Sequence, residues 1–119
     1  MVTGGRKYDD EDQVRDSLAP YDELGNVLVV GGATGADELA RLVWHYDFQL
    51  PYVVEPAAWD RGGKPAGQER NMSMVEGLSL APHIGKLMRP HLVVAFPGGR
   101  GTKHARGYAK KRGIEVVDG

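Results

Sequence analysis

Three glycine-rich segments, each placed between an apolar run and a segment with helical character, constrain this chain more than any other feature. They are Gly4-Gly5-Arg6, Gly31-Gly32-Ala33-Thr34-Gly35-Ala36-Asp37 and Pro97-Gly98-Gly99-Arg100-Gly101-Thr102. Glycine makes up 17 of the 119 residues, about twice its usual share of about 7%. Because the carboxyl ends of parallel strands meet at one edge of a sheet, we expect the three segments to lie together there.

The apolar runs do not alternate with polar residues, which is typical of strands covered on both faces. The predicted strands are Met1–Thr3, Val27–Val30, Tyr52–Val54, Leu92–Phe96 and Ile114–Val117. Helical patterns begin at Asp10 and cover Ala36–Phe48, Gln68–Leu78 and Thr102–Arg112. The alternation predicts a single α/β domain over residues 1–119, a Rossmann-like, doubly wound three-layer α/β/α fold with a mainly parallel sheet of about five strands.

Two helices carry more detailed expectations. Asp10 and Gln13 have capping-box spacing, so Asp10 is expected to begin the first helix. The second helix is expected to turn Val43 and Tyr46 inward, and Trp44 widens its apolar face. We interpret that surplus face as a contact with a second copy, and expect a homo-oligomer, a dimer or larger.

Composition excludes several classes of protein. There is no cysteine, which removes a disulfide scaffold, a thiolate nucleophile and a cysteine metal site. The four histidines lack metal-ligand spacing, so no metal site is expected; they are His45, His83, His91 and His104. Residues 1–60 carry a net charge of −8 and residues 61–119 a net +7, for a total of −1. That balance argues against nucleic acid as a partner.

No uncharged stretch approaches the roughly 20 apolar residues that span a bilayer, and the N-terminus lacks a signal-peptide pattern. We therefore expect no membrane partner and a cytoplasmic location. The first predicted strand is so short that the pattern leaves open whether Met1 is the native start.

Glycine-rich turns before helices let backbone N–H groups approach a phosphate, which also meets the positive end of the helix. We expect the backbone of Gly98, Gly99, Gly101 and Thr102 to hold a phosphate. Neither a GxGxxG fingerprint nor a GxxxxGK[ST] loop is present, which disfavours a dehydrogenase and a P-loop NTPase. A nucleotide-type ligand is expected, and no cofactor is required.

These motifs, in this order, resemble one known group of proteins. The matching segments are Val2–Arg6, Gly31–Asp37, Trp59-Asp60-Arg61 leading to Ala66–Asn71, and Ala95–Thr102. Together they resemble the YspA/YpsA-related branch of the SLOG superfamily, whose other members include LOG-type phosphoribohydrolases and the DNA-processing protein DprA. The resemblance implies a Rossmann-like fold that binds nucleotides or nucleotide-derived ligands.

The chain departs from the LOG-type pattern at one position. Those enzymes carry a PGGxGTxxE motif with a catalytic glutamate, and Ala105 stands in that place here. Alanine can neither stabilise an oxocarbenium ion nor position water. Arg70 resembles the arginine those enzymes use, and Asp37, Asp60 and Glu69 are the acids that would have to substitute.

The candidate ligand-binding residues are Gly4, Gly5, Arg6, Gly32, Ala33, Gly35, Asp37, Trp59, Arg70, Asn71, Pro97, Gly98, Gly99, Arg100, Gly101 and Thr102. Several have an ordinary structural alternative. Thr102 suits a helix N-cap, Asp37 could complete a capping box with Thr34, and Trp59 could pack over the core. Arg6 and Arg70 could form structural salt bridges, and Arg100 could be solvated.

The first functional hypothesis is a small domain that senses or sequesters a nucleotide-derived phosphate ligand, such as ADP-ribose, an NAD-derived molecule or a nucleoside phosphate. The second is an N-glycosidic hydrolase of a nucleoside monophosphate, with Arg70, Asp37 and Glu69 as candidate catalytic residues. DNA binding is the third, and the net charge disfavours it.

Overall fold

The computed structural model describes residues 1–55, 65–77 and 89–119. Its strands are β1 (Val2–Thr3), β2 (Leu28–Gly31), β3 (Tyr52–Glu55), β4 (Leu92–Ala95) and β5 (Glu115–Asp118). Its helices are α1 (Glu11–Leu18), α2 (Ala36–Leu42), α3 (Pro65–Glu76) and α4 (Arg100–Lys111), with a 3₁₀ turn over Ala19–Tyr21 and a π-helical turn over Val43–Asp47. Strands and helices alternate, so the predicted α/β class is confirmed.

Each strand pair within the described residues is parallel. β4 lies between β1 and β5 in one sheet, and β2 pairs with β3 in another. β1 and β2 also contact each other, which gives the spatial order β3-β2-β1-β4-β5. Hydrogen bonds at both ends of two-residue β1 hold it against β4: Val94 N donates to Met1 O, and Phe96 N donates to Thr3 O, each at 2.9 Å. The expected layer of five parallel strands is therefore present, and its two hydrogen-bonded sheets meet where β1 contacts β2.

Helices cover both faces of the strands. One apolar cluster joins Val14 and Leu18 of α1 to Ala40 of α2 and to Val94 of β4. A second joins Val75 of α3 and Ala109 of α4 to Val93 of β4. Neighbouring residues of β4 thus face opposite sides. The result is the predicted α/β/α arrangement of three layers.

The first helix begins as its sequence predicts. Asp10 is the N-cap of α1, and its carboxylate accepts a 3.0 Å hydrogen bond from Gln13 N. The helix then buries Val14 and Leu18. The capping prediction is confirmed.

The end of the second helix contradicts two expectations. Tyr46, predicted to face inward, is 68% exposed, whereas Trp44 is only 3% exposed. The reason is the π-helical turn from Val43, whose wider turn shifts the following side chains out of α-helical phase. Trp44 Nε1 donates to Pro51 O at 2.8 Å. The interpretation of Trp44 as an intersubunit contact is wrong, because the indole is used inside the chain.

Predictions for Trp59, Asp60 and Leu78 fall outside the residues that the structure describes. Among the helices of the described ranges, none is both long enough and apolar enough to traverse a lipid bilayer.

Candidate functional site

The three glycine loops lie together at the carboxyl edge of the strands. The loop after β1 contacts both of the others through its backbone: Gly5 N donates to Pro97 O at 2.9 Å, and Gly5 O accepts from Ala36 N at 3.1 Å. Thr34 Oγ1 also donates to Arg6 O at 3.1 Å. The strand order reverses between β1 and β4, which is where open α/β folds place ligands.

Glycine is required where these loops touch. Gly35 has φ +77°, and a Cβ there would overlap the Gly5 carbonyl oxygen. A Cβ on Gly98 would overlap the Thr102 hydroxyl and lie 2.6 Å from Gly5 N. These two glycines let the loops pack backbone against backbone.

The start of α4 faces outward instead. Gly99 and Gly101 are exposed, and a Cβ on either would meet no atom within 4 Å. The first bond within the helix runs from Lys103 N to Gly99 O at 3.1 Å. The preceding N–H groups therefore have no acceptor in the helix, and they carry its positive end. The backbone is open to an anion here.

Thr102 lies beneath this open turn. Its side chain is 7% exposed, and its hydroxyl makes no hydrogen bond within the described part of the chain. The N-cap of α4 is Gly99, so the N-cap alternative for Thr102 is wrong. A cavity of about 290 Å³ opens beside Thr102 and Gly98, with Lys103 and Arg106 in its wall.

Helix α3 brings two buried polar side chains to the same edge. Arg70 is 8% exposed and Asn71 6%. Arg70 Nε donates to Asn71 Oδ1 at 3.0 Å, and Arg70 Nη1 donates to Glu55 O at 3.5 Å. Asn71 Nδ2 in turn donates to Gly101 O at 3.4 Å. Asn71 therefore connects Arg70 to the open first turn of α4.

Asp37, in the first turn of α2, packs on the same glycine as Arg70. A Cβ on Gly31 would overlap the Arg70 guanidinium and lie 2.9 Å from Asp37 Oδ2. The missing side chain at the end of β2 is what leaves room for both groups. Asp37 is 6% exposed. The Thr34 hydroxyl is bonded to Arg6 O, so the capping-box alternative for Asp37 is wrong.

Burial dominates the electrostatics of this pair. It raises the pKa of Asp37 to about 7, against the opposing effects of Arg70, the Ala33 N–H and Arg6. Burial also lowers the pKa of Arg70, and Asp37 opposes that shift. A guanidinium stays protonated in proteins, so the site holds a fixed cation beside a carboxyl group whose pKa is raised by burial.

The remaining candidate residues differ in their exposure to solvent. Glu69 is exposed although its neighbour Arg70 is buried, and Arg100 is exposed at the first position of α4. Ala105, at the position of the LOG-type glutamate, is fully buried. The structure therefore brings together Asp37 and Arg70 among the candidate catalytic residues and leaves Glu69 in solvent.

Sequence reasoning missed two parts of the site. As part of a glycine turn Gly31 carries no predicted role of its own, although Asp37 and Arg70 both pack against it. Glu55 is fully buried at the end of β3, and its backbone carbonyl accepts from Arg70. A signal was present, because an acidic residue directly follows the apolar run Tyr52–Val54.

Comparison with protein-family models, curated proteins and solved structures finds no match for this chain. Within the described ranges, no group of three or more His, Cys, Asp or Glu side chains is arranged to hold a metal ion. The family resemblance drawn from the glycine motifs stays a prediction.

Proposed function

We propose that this edge binds a nucleotide-derived phosphate ligand, such as ADP-ribose, an NAD-derived molecule or a nucleoside phosphate, and that the domain senses or sequesters it. One observation carries the proposal: the open, glycine-lined first turn of α4 is joined through Asn71 to a buried arginine. Unpaired backbone donors and a fixed cation are the groups that proteins use to hold phosphate.

The first turn of α4 is the place for one phosphate. Gly99 and Gly101 leave space for it, the N–H groups point along the helix axis towards it, and the Thr102 hydroxyl is without a partner in the described residues. Helix α4 has 12 residues, so its dipole is well developed at this end.

Arg70 supplies the second contact. Its guanidinium has more N–H donors than its two hydrogen bonds use. Asp37, beside it, is an acceptor for a ligand hydroxyl, such as one of a ribose. A ligand that combines phosphate with ribose matches this pair of donor and acceptor better than a simple anion does.

The Asp37–Arg70 pair also favours a second candidate, N-glycosidic hydrolysis of a nucleoside monophosphate. A carboxyl group whose pKa is about 7 is suited to give a proton to a leaving base at neutral pH. In this reaction water adds to the ribose carbon as the protonated base leaves, so hydrolysis releases free base and ribose 5-phosphate, whereas simple binding releases neither.

A proton NMR time course of the protein with AMP, ADP-ribose and NAD, each separately, distinguishes the two. Broadened ligand lines without free base after several hours support binding alone. Accumulating base supports hydrolysis, and Asp37→Asn must then stop it. If no ligand line broadens and no base forms, both candidates are wrong.

Two substitutions test the placement of the phosphate. Gly99→Val puts a side chain into the open space of the first turn and is expected to abolish binding. Gly107→Val is the matched control, because Gly107 is an exposed glycine of the same helix whose Cβ position is also open. If Gly99→Val binds like the parent protein, the phosphate lies elsewhere.

Arg70→Ala tests the buried cation. Loss of a charge-assisted contact costs about 1.5–3 kcal/mol, a weakening of roughly 10- to 150-fold. Arg112→Ala is the control, because Arg112 pairs with Glu76 at 2.7 Å. Equal affinities of the two variants would exclude Arg70 from the site.

A further inference from the structure

Three buried polar groups meet where β2 and β3 end. Asp37 and Arg70 lie against Gly31, and Arg70 reaches the backbone of Glu55, which is fully buried. A guanidinium flanked by carboxyl groups is not an empty anion site, because an incoming phosphate meets negative charge next to the cation that attracts it. The charge of Asp37 therefore bears directly on the binding of any anion to Arg70.

The charged groups around Asp37 come from separate elements. Arg70 faces it from α3, and Arg6 acts on it from the loop after β1. The Ala33 N–H donates to it from the loop after β2, while Glu55 acts on Arg70 from β3. Within α2 the adjacent Glu38 is exposed. Arg70 is thus the main group that stabilises the ionised form of Asp37.

A ligand anion and the Asp37 carboxylate compete for that same cation. When an anion binds Arg70, its negative charge offsets the effect of the guanidinium on Asp37 and so favours the protonated form of Asp37. Because linkage is reciprocal, protonation of Asp37 must strengthen anion binding by the same factor.

We propose that Arg70 and Asp37 form a proton-coupled anion site, in which the ligand anion and a proton on Asp37 bind together. This inference rests on the proposed function and adds its regulation: the domain takes up a proton when it binds its ligand and holds the ligand more tightly in mildly acidic than in mildly alkaline solution. Burial raises the pKa of Asp37 to about 7, so the coupling acts around neutral pH.

Calorimetric titration with ADP-ribose at pH 6, 7 and 8 tests the proposal. Each phosphate of ADP-ribose carries one ester and one anhydride linkage and so lacks the second ionisation of a phosphate monoester, at about pH 6, which keeps the charge of the probe constant. We expect the affinity to fall by about tenfold from pH 6 to pH 8, within the usual range of coupling between sites. The titration at pH 7 is repeated in buffers of different ionisation enthalpy. The change in binding enthalpy between buffers is expected to show that the protein takes up a fraction of a proton when the ligand binds.

Asp37→Asn and Glu38→Gln form the matched pair of variants. Asp37→Asn keeps the shape of the side chain and is expected to bind with an affinity independent of pH. Glu38→Gln removes the neighbouring exposed carboxylate and is expected to keep the pH dependence of the parent protein. Equal affinity of the parent protein at pH 6 and pH 8, or a pH dependence that survives in Asp37→Asn, overturns the proposal.

A ligand-independent measurement separates this inference from the proposed function. Sulfate keeps its charge from pH 5 to pH 9, and carbon-13 NMR follows the Asp37 carboxyl directly. Sulfate is expected to move the titration midpoint of Asp37 upward in the parent protein and to leave it unchanged in Arg70→Ala. If ADP-ribose fails to bind at every pH, the proposed ligand is wrong. The sulfate titration then tests the coupling between Asp37 and Arg70 by itself. An Asp37 midpoint that sulfate does not move overturns the proposal.

Discussion

Gly35→Ala is expected to be strongly destabilising, because Gly35 is where the loops after β1 and β2 are in closest contact. Its φ of +77° is unfavourable for any other residue, which costs about 1–3 kcal/mol. The added Cβ would also overlap the Gly5 carbonyl oxygen and lie 2.5 Å from the Arg6 carbonyl carbon. Both are backbone atoms, and the neighbouring bond from Ala36 N to Gly5 O fixes their position.

Forcing these backbones apart adds about 1–3 kcal/mol, so the free energy of unfolding should fall by about 2–6 kcal/mol. For a chain of 119 residues the total is roughly 6–18 kcal/mol. Urea denaturation measures the loss directly, and the Tm is expected to fall by about 8 °C or more.

Substitutions at two other glycines distinguish the cost of the positive φ from the cost of the steric overlap. Gly113 has φ +76° with open space around its Cβ position, so Gly113→Ala is expected to cost about 1–2 kcal/mol. Gly99 has φ −95° and open space, so Gly99→Ala is expected to change stability by less than about 1 kcal/mol. If Gly35→Ala costs no more than Gly113→Ala, the backbone contact between the two loops is wrong.

Three further results are expected. Trp44→Phe leaves the Pro51 carbonyl without its indole donor and should cost about 1–3 kcal/mol in urea denaturation; a change near zero would contradict the buried hydrogen bond. Asp10→Ala should cost about 1 kcal/mol through loss of the bond from Gln13 N, and Asp10→Asn should restore most of it. Burial raises the folded-state pKa of Asp37 to about 7, so above pH 4 the folded protein binds more protons than the unfolded chain. The free energy of unfolding of the parent protein should therefore fall by up to roughly 4 kcal/mol relative to that of Asp37→Asn between pH 4 and pH 8. A difference in unfolding free energy that stays constant with pH would refute the raised pKa.

The sequence by itself determined the elements of this fold and the place of its loops. Non-alternating apolar runs identified the strands, and the glycine segments after three of them located the edge where the loops meet. Local chemistry also determined the start of α1 at Asp10. These features depend on neighbours in sequence, which is why patterns and capping rules found them.

Tertiary structure alone decided how the side chains at that edge combine. Asp37 and Arg70 are far apart in sequence, and only the approach of α3 to the end of β2 brings both onto Gly31. The ionisation of Asp37 follows from that burial, which no local pattern reports. The inward turn of Trp44 likewise follows from a π-helical turn that the α-helical period did not anticipate. Sequence spacing sets the elements, whereas contacts between distant segments set the charge and accessibility of the groups that a ligand would meet.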